Sequence, residues 1–149
     1  MPLINLLILW PKQVASYFLW AGPLLARLVV GVTFMMAGFG KLQHLSQVTE
    51  YFASLGIPAP ELLTPIVSGW EFIGGAMLIL GLVTRMNAGA LAVIMVVATV
   101  SAQWSEVDSV VSLLGLEEIT YFAVFGWLAI TGAGAASVDH WIERKATAR

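Results

Sequence analysis

Apolar residues dominate four stretches of the chain, about 23–42, 62–83, 86–103 and 119–138. Each is close to the ~20 residues that carry a helix across ~30 Å of hydrocarbon. Polar residues, prolines and glycines gather between them, so the pattern predicts four membrane-spanning helices with short connections. The turn Thr84-Arg85-Met86-Asn87 is tight enough to make the second and third spans antiparallel neighbours. The fold class expected is all-α: an integral membrane antiparallel four-helix bundle with short interfacial helices.

The segments outside the spans have patterns of their own. Leu3 to Trp10 is an apolar run too short to cross, and Pro11 is expected to end it. Val14, Tyr17 and Phe18 then recur at helical spacing beside Trp10 and Trp20, which fits a helix at headgroup level. Between spans one and two, Val48, Tyr51, Phe52 and Leu55 form the apolar face of a short helix. Ser46 is expected to cap it, Gly56 to close it, and Pro58 and Pro60 to stop it. That helix is expected to lie over the bundle like a lid. Val107, Val110, Val111, Leu113 and Leu114 predict a second surface helix in the acidic connection 105–118. The chain therefore divides into an interfacial segment (1–22), a domain of four spans (23–141) and a basic tail (142–149).

Composition agrees. The hydrophobic fraction is 59% and the charged fraction 11%, against about 45–50% and ~25% in soluble domains. So few polar residues cannot cover a soluble fold. The chain has no cysteine, which excludes disulfides, dithiol chemistry, Fe–S clusters and thiolate zinc sites. Net charge is −2 with no basic patch, so nucleic acid is not an expected partner. Lys12, Arg27, Arg85, Arg144, Lys145 and Arg149 fall on one side of the predicted bilayer and Lys41 on the other. The positive-inside rule then places both termini in the cytoplasm and the protein in the cell (inner) membrane.

Two polar features lie at membrane depth. Arg27, Gly31, Phe34, Gly38 and Lys41 share one stripe of the first span. Either the two cations snorkel to their own interfaces while the glycines pack, or they face the interior. Glu71 falls near the middle of the second span, in Ser68-Gly69-Trp70-Glu71-Phe72-Ile73-Gly74-Gly75. A carboxyl there costs roughly 2–4 kcal/mol against lipid, so it is expected to be protonated, paired with a cation or turned into the bundle interior, and the flanking glycines let another helix approach.

These motifs resemble the DoxX family of small four-helix membrane proteins over about residues 24–141. The resemblance rests on the Arg27 to Lys41 pattern, on Tyr51-Phe52-Ala53-Ser54-Leu55-Gly56-Ile57-Pro58-Ala59-Pro60, and on Glu71-Phe72-Ile73-Gly74-Gly75 followed by Gly81-Leu82-Val83-Thr84-Arg85. The run from Gly132 to Asp139 is similar to the family's usual Gly-Pro-Gly-Arg-Tyr-Ser-Leu-Asp, with Ala133, Ala135 and Ala136 in place of Pro, Arg and Tyr. Gln103 or Trp104 stands where many members carry a histidine near the end of the third span. The family takes its name from a subunit of an archaeal quinol-oxidising, sulfur-linked complex, and other members associate with oxidative-stress and quinone-detoxification systems. The resemblance thus implies a quinone-linked redox role.

His44 and His140 fall on opposite sides of the predicted membrane, so neither haem nor another metal is expected. A quinone headgroup needs donors, a proton-exchanging acceptor and aromatic walls. Glu71 is the candidate for proton exchange, with Arg27, Lys41, Trp70 and Gln103 as candidate contacts for a quinone. The alternative is a buried polar knot that only fixes helix register. Two functions follow from these readings. One is a quinone-binding component of a membrane oxidoreductase system. The other is a non-catalytic subunit or assembly factor that docks a larger membrane complex. Either way the lipid bilayer and a partner subunit or second copy are expected partners. The small residues Gly126, Ala129 and Ala133 of span four are candidates for that contact.

Overall fold

In the computed structural model, which describes residues 2–148, nearly the whole chain is helical. Met1 and Arg149, the latter counted above in the basic tail, lie outside the described residues. The N-terminal segment consists of α1 (Pro2–Ile4), a π-helical turn (Asn5–Leu9) and α2 (Trp10–Tyr17). Helix α3 (Ala21–Gln43), α4 (Leu45–Ser54), α5 (Pro60–Leu80) and α6 (Thr84–Ala98) follow. The last of these is prolonged by a π-helical segment (Thr99–Gln103) and a 3-10 turn (Trp104–Glu106). Then come α7 (Val110–Leu114), α8 (Glu117–Thr131) and α9 (Val138–Thr147). Among the described residues, three helices are long and apolar enough to cross a membrane: α3, α5 and the continuous stretch Thr84–Glu106.

The fourth apolar stretch is shorter than its pattern predicts. Helix α8 has 15 residues and ends at Thr131 rather than near 138. At ~1.5 Å per residue it spans ~22 Å. Gly132 leaves the helix with φ +85, Gly134 follows with φ +75, and Ser137 starts α9 by accepting a hydrogen bond from the His140 N–H at 3.1 Å. The run is apolar throughout, so hydropathy alone does not mark this exit.

Two other local expectations are corrected. Pro11 does not end the N-terminal helix. It sits in the first turn of α2, where a missing N–H is tolerated, and the helical stretch runs through it. Ser46 does not cap α4: His44 holds the N-cap position, with no side-chain cap. The close of α4 is as the sequence predicts. Gly56 takes φ +72, its N–H reaches the Ala53 carbonyl at 3.0 Å, and the Ile57 N–H reaches that of Phe52 at 3.1 Å. This is a Schellman ending.

Helices α3 and α5 touch backbone to backbone. A Cβ on Gly31 would lie 2.9 Å from the Gly75 carbonyl oxygen, and one on Gly38 would lie 2.7 Å from that of Ser68. A Cβ on Gly75 would in turn lie 2.6 Å from the Gly31 oxygen. Rising numbers on α3 meet falling numbers on α5, so the pair is antiparallel. Gly74, one residue round, faces α6, where the Asn87 side-chain N–H donates to the Gly74 carbonyl at 2.6 Å. Helices α6 and α8 pack together and α8 returns to α3. There Phe34 meets Tyr121 and Phe125 edge-on at 5.2 and 4.8 Å. Val30, Leu78, Leu91, Met95 and Leu128 complete the core.

Large apolar side chains point outward all along these helices, among them Val29, Met36, Ile66, Ile73, Val96 and Ile130. Such a surface matches hydrocarbon rather than water. The segment from Leu3 to Trp20 is exposed throughout.

Candidate functional site

Glu71 is buried in the middle of α5, its side chain 3% exposed, and Lys41 lies in the last turn of α3. Counting residues from the helix ends does not bring them level, yet they form a two-pronged ion pair. The Lys41 Nζ donates to Glu71 Oε1 at 2.7 Å and Oε2 at 2.6 Å. Two physical causes close the gap. Side chains lean toward the N-terminus of their own helix, so in an antiparallel pair Lys41 leans down and Glu71 leans up. Gly38, one turn before Lys41, puts the α3 axis against the Ser68 to Phe72 backbone. The pair also sits well electrostatically, with its cation in the last turn of α3.

Glu71 and Lys41 open onto a cavity of about 540 Å³. Its walls come from α3, α5, α6 with its π-helical extension, and the start of α8. Its roof is α4: Val48, Tyr51, Phe52 and Leu55, the four residues whose spacing predicts an apolar face, all line it. Leu63, Val67, Val93, Ile94 and Val97 make the rest largely apolar. The size and lining are those of a small-molecule site with few polar groups.

Gln103 lines the same cavity. It lies on the π-helical segment, a feature often found at functional sites. Its Nε2 donates to Glu118 Oε1 at 3.4 Å. Glu118, half-buried in the first turn of α8, also lines the cavity. Sequence reading grouped it with the acidic connection. The available signal was a carboxylate at the start of an apolar helix, where the helix dipole favours it.

Arg27 and Trp70 are not brought to this cavity. Arg27 is fully buried, but it donates to the Leu78 carbonyl at 3.3 Å and the Ala136 carbonyl at 2.5 Å. Leu78 lies two turns beyond Glu71, ~10 Å along α5. Arg27 therefore ties the end of α5 to the α8–α9 connection. Trp70 is 43% exposed on the outer face of α5, because adjacent helical residues point ~100° apart.

The end of the molecule that holds Arg27 is organised by backbone capping. Gly81 takes φ +67 and closes α5 with a second Schellman ending. Val83 follows in the left-handed region at φ +48, which is strained for a β-branched residue. The Asp139 carboxylate holds it there, accepting from the Val83 N–H at 2.7 Å and the Thr84 N–H at 2.8 Å. Arg85 donates to the carbonyls of Ala129, Ile130 and Thr131, capping α8. The Gly132 to Asp139 motif is thus a structural clasp, and Ala133, Ala135 and Ala136 leave its glycine, serine and aspartate roles in place.

A family model described as DoxX matches residues 22–104, more than half of the chain. That range includes Lys41, Glu71 and Gln103 but not Glu118. The chain is 31% identical over 124 residues to "Inner membrane protein YqjF" of Escherichia coli (strain K12), covering 83% of this chain and 94% of that one. It is 25% identical over 123 residues to "Putative oxidoreductase CatD" of Bacillus subtilis (strain 168), covering 81% and 87%. It is 30% identical over 125 residues to "Inner membrane protein YphA" of Escherichia coli (strain K12), covering 78% and 86%. No solved structure matches.

Proposed function

This chain belongs to the DoxX family of membrane proteins, and from that premise we propose that it is the membrane component of a quinone-linked redox system, with a quinone-like ligand held beside Glu71. The observation that carries this reading is the Lys41–Glu71 pair on the wall of an apolar cavity roofed by α4. The ammonium can donate to a ring carbonyl and the carboxylate can accept from a ring hydroxyl, while the apolar walls suit the ring and its hydrocarbon tail. Glu71 then exchanges a proton with the headgroup as electrons pass to or from a partner. The name of the Bacillus relative supports an oxidoreductase setting.

The experiment is lipid extraction of gently solubilised protein, with native mass spectrometry on the same sample. A quinone retained near one per chain supports the proposal. A quinone-free protein that is stable only with a partner overturns it in favour of a docking or assembly subunit.

In the bilayer, α3, α5, α6 with its extension, and α8 form an antiparallel four-helix bundle in the inner membrane with both termini cytoplasmic. Arg27, Arg85 and Asp139 gather at one end of the structure and Lys41 at the other, which agrees with the count of cations. The expected result is that Glu61→Cys reacts with an impermeant thiol reagent in intact cells and Lys145→Cys only after permeabilisation. The reverse pattern would invert the topology.

A further inference from the structure

Four of the polar side chains that line the cavity form two pairs, each with one donor and one acceptor, while Gln47, Tyr51 and Ser101 also line it. The first joins α3 to α5: the Lys41 ammonium donates to the Glu71 carboxylate at 2.6 and 2.7 Å. The second joins the π-helical extension of α6 to the start of α8: the Gln103 amide donates to the Glu118 carboxylate at 3.4 Å. Among the described residues no hydrogen bond links one pair to the other. The two pairs come from different helices and face one cavity of about 540 Å³.

We infer that Glu118 and Gln103 form a second headgroup-binding pole, so that the cavity selects a ring oxygenated at two para positions and holds it in either oxidation state. The inference rests on the ligand reading proposed above and adds the residues at the far end of the ring. A dione presents two acceptors and takes the two donors, Lys41 and Gln103. The corresponding diol presents two donors and takes the two acceptors, Glu71 and Glu118. A cavity with one donor and one acceptor at each pole binds both forms, because each pair opens by rotating side chains rather than by moving helices. A single pole would hold a mono-oxygenated ring as well as a dioxygenated one. The long 3.4 Å contact of the second pair is the weaker of the two and is the one a ligand opens more readily. Glu118 and Gln103 are positioning residues here, and binding alone is claimed for them.

The test is equilibrium binding to the full chain in lipid nanodiscs, using a short-tailed para-dione, its diol and the matching mono-oxygenated phenol. Wild type binds the dione and diol with similar affinity and the phenol about tenfold more weakly, as expected for one lost hydrogen-bonded pole. The double variant Gln103→Leu, Glu118→Leu binds dione and diol no better than phenol, while phenol affinity is unchanged. That unchanged phenol binding also reports that the variant is folded. The isosteric Glu118→Gln weakens the diol several-fold more than the dione, since a carboxylate accepts from a hydroxyl more strongly than an amide does. Wild-type binding of the dione with no loss in either variant overturns the second pole and leaves the Glu71 site standing. No dione binding by wild type overturns the ligand reading itself.

Discussion

Gly38→Val is expected to lose the native packing of α3 on α5. A Cβ at this position would meet the Phe72 amide nitrogen, the Ser68 carbonyl oxygen at 2.7 Å and the Glu71 carbonyl carbon at 2.9 Å. All three are backbone atoms of a neighbouring helix, so no side chain can rotate out of the way. The helices must separate, and overpacking of that kind costs about 3 kcal/mol, at the upper end of its usual range. For a chain of this size the midpoint temperature falls by roughly 10 °C. Gly69→Ala is the control, since a Cβ there meets nothing within 4 Å. Thermal denaturation followed by size exclusion in detergent separates the two. Equal stability of both variants would mean that α3 and α5 do not meet at Gly38.

The second large effect concerns the buried pair. Lys41→Met leaves the Glu71 carboxylate, 3% exposed, without its cation. Removing one partner of a fully buried pair costs about 3–5 kcal/mol. With Lys41 36% exposed, the loss here is expected at or below the lower end, about 2–3 kcal/mol, because the remaining carboxylate stays desolvated. Glu71→Gln is milder. The Lys41 side chain is 36% exposed and keeps access to other partners, and the amide still accepts a hydrogen bond from it. Lys41→Met combined with Glu71→Leu recovers most of the loss, since an apolar pair carries no desolvation penalty. A thermal-stability cycle over these variants checks the order. A Lys41→Met protein as stable as wild type would contradict the pairing.

How much of this was readable from sequence differs from element to element. The lid was readable because it depends on local periodicity: Val48, Tyr51, Phe52 and Leu55 share a face at helical spacing, and Gly56 has the one conformation that closes the helix. The Glu71 environment was readable as a demand, since a carboxyl at membrane depth needs a partner. Which cation answers it was not. Linear counting omits both the lean of side chains along antiparallel helices and the close approach that Gly38 permits. Arg27 lies on the same stripe as Lys41, yet it serves the Leu78 carbonyl, two turns beyond Glu71, and the Ala136 carbonyl of the α8–α9 connection. Trp70 adjoins Glu71 in sequence and points out of the bundle. Glu118 was hidden for the opposite reason. It is distant in sequence from every other cavity residue on α3 and α5, and only the packing of α8 on α6 brings it in. The end of α8 was missed because Gly132 reads as one more small packing residue, while its role is a positive φ.

The most direct measurement is quinone-dependent redox turnover of membranes carrying Glu71→Gln, with thermal stability recorded on the same protein. An amide holds the Lys41 ammonium but cannot take up and release a proton near neutral pH. If Glu71 exchanges protons with a bound quinone, the variant folds with near-normal stability and turnover falls by about 100-fold or more, the range for a lost general acid–base group. A Gln variant of normal stability with full turnover would contradict this and leave Glu71 as a purely structural carboxyl.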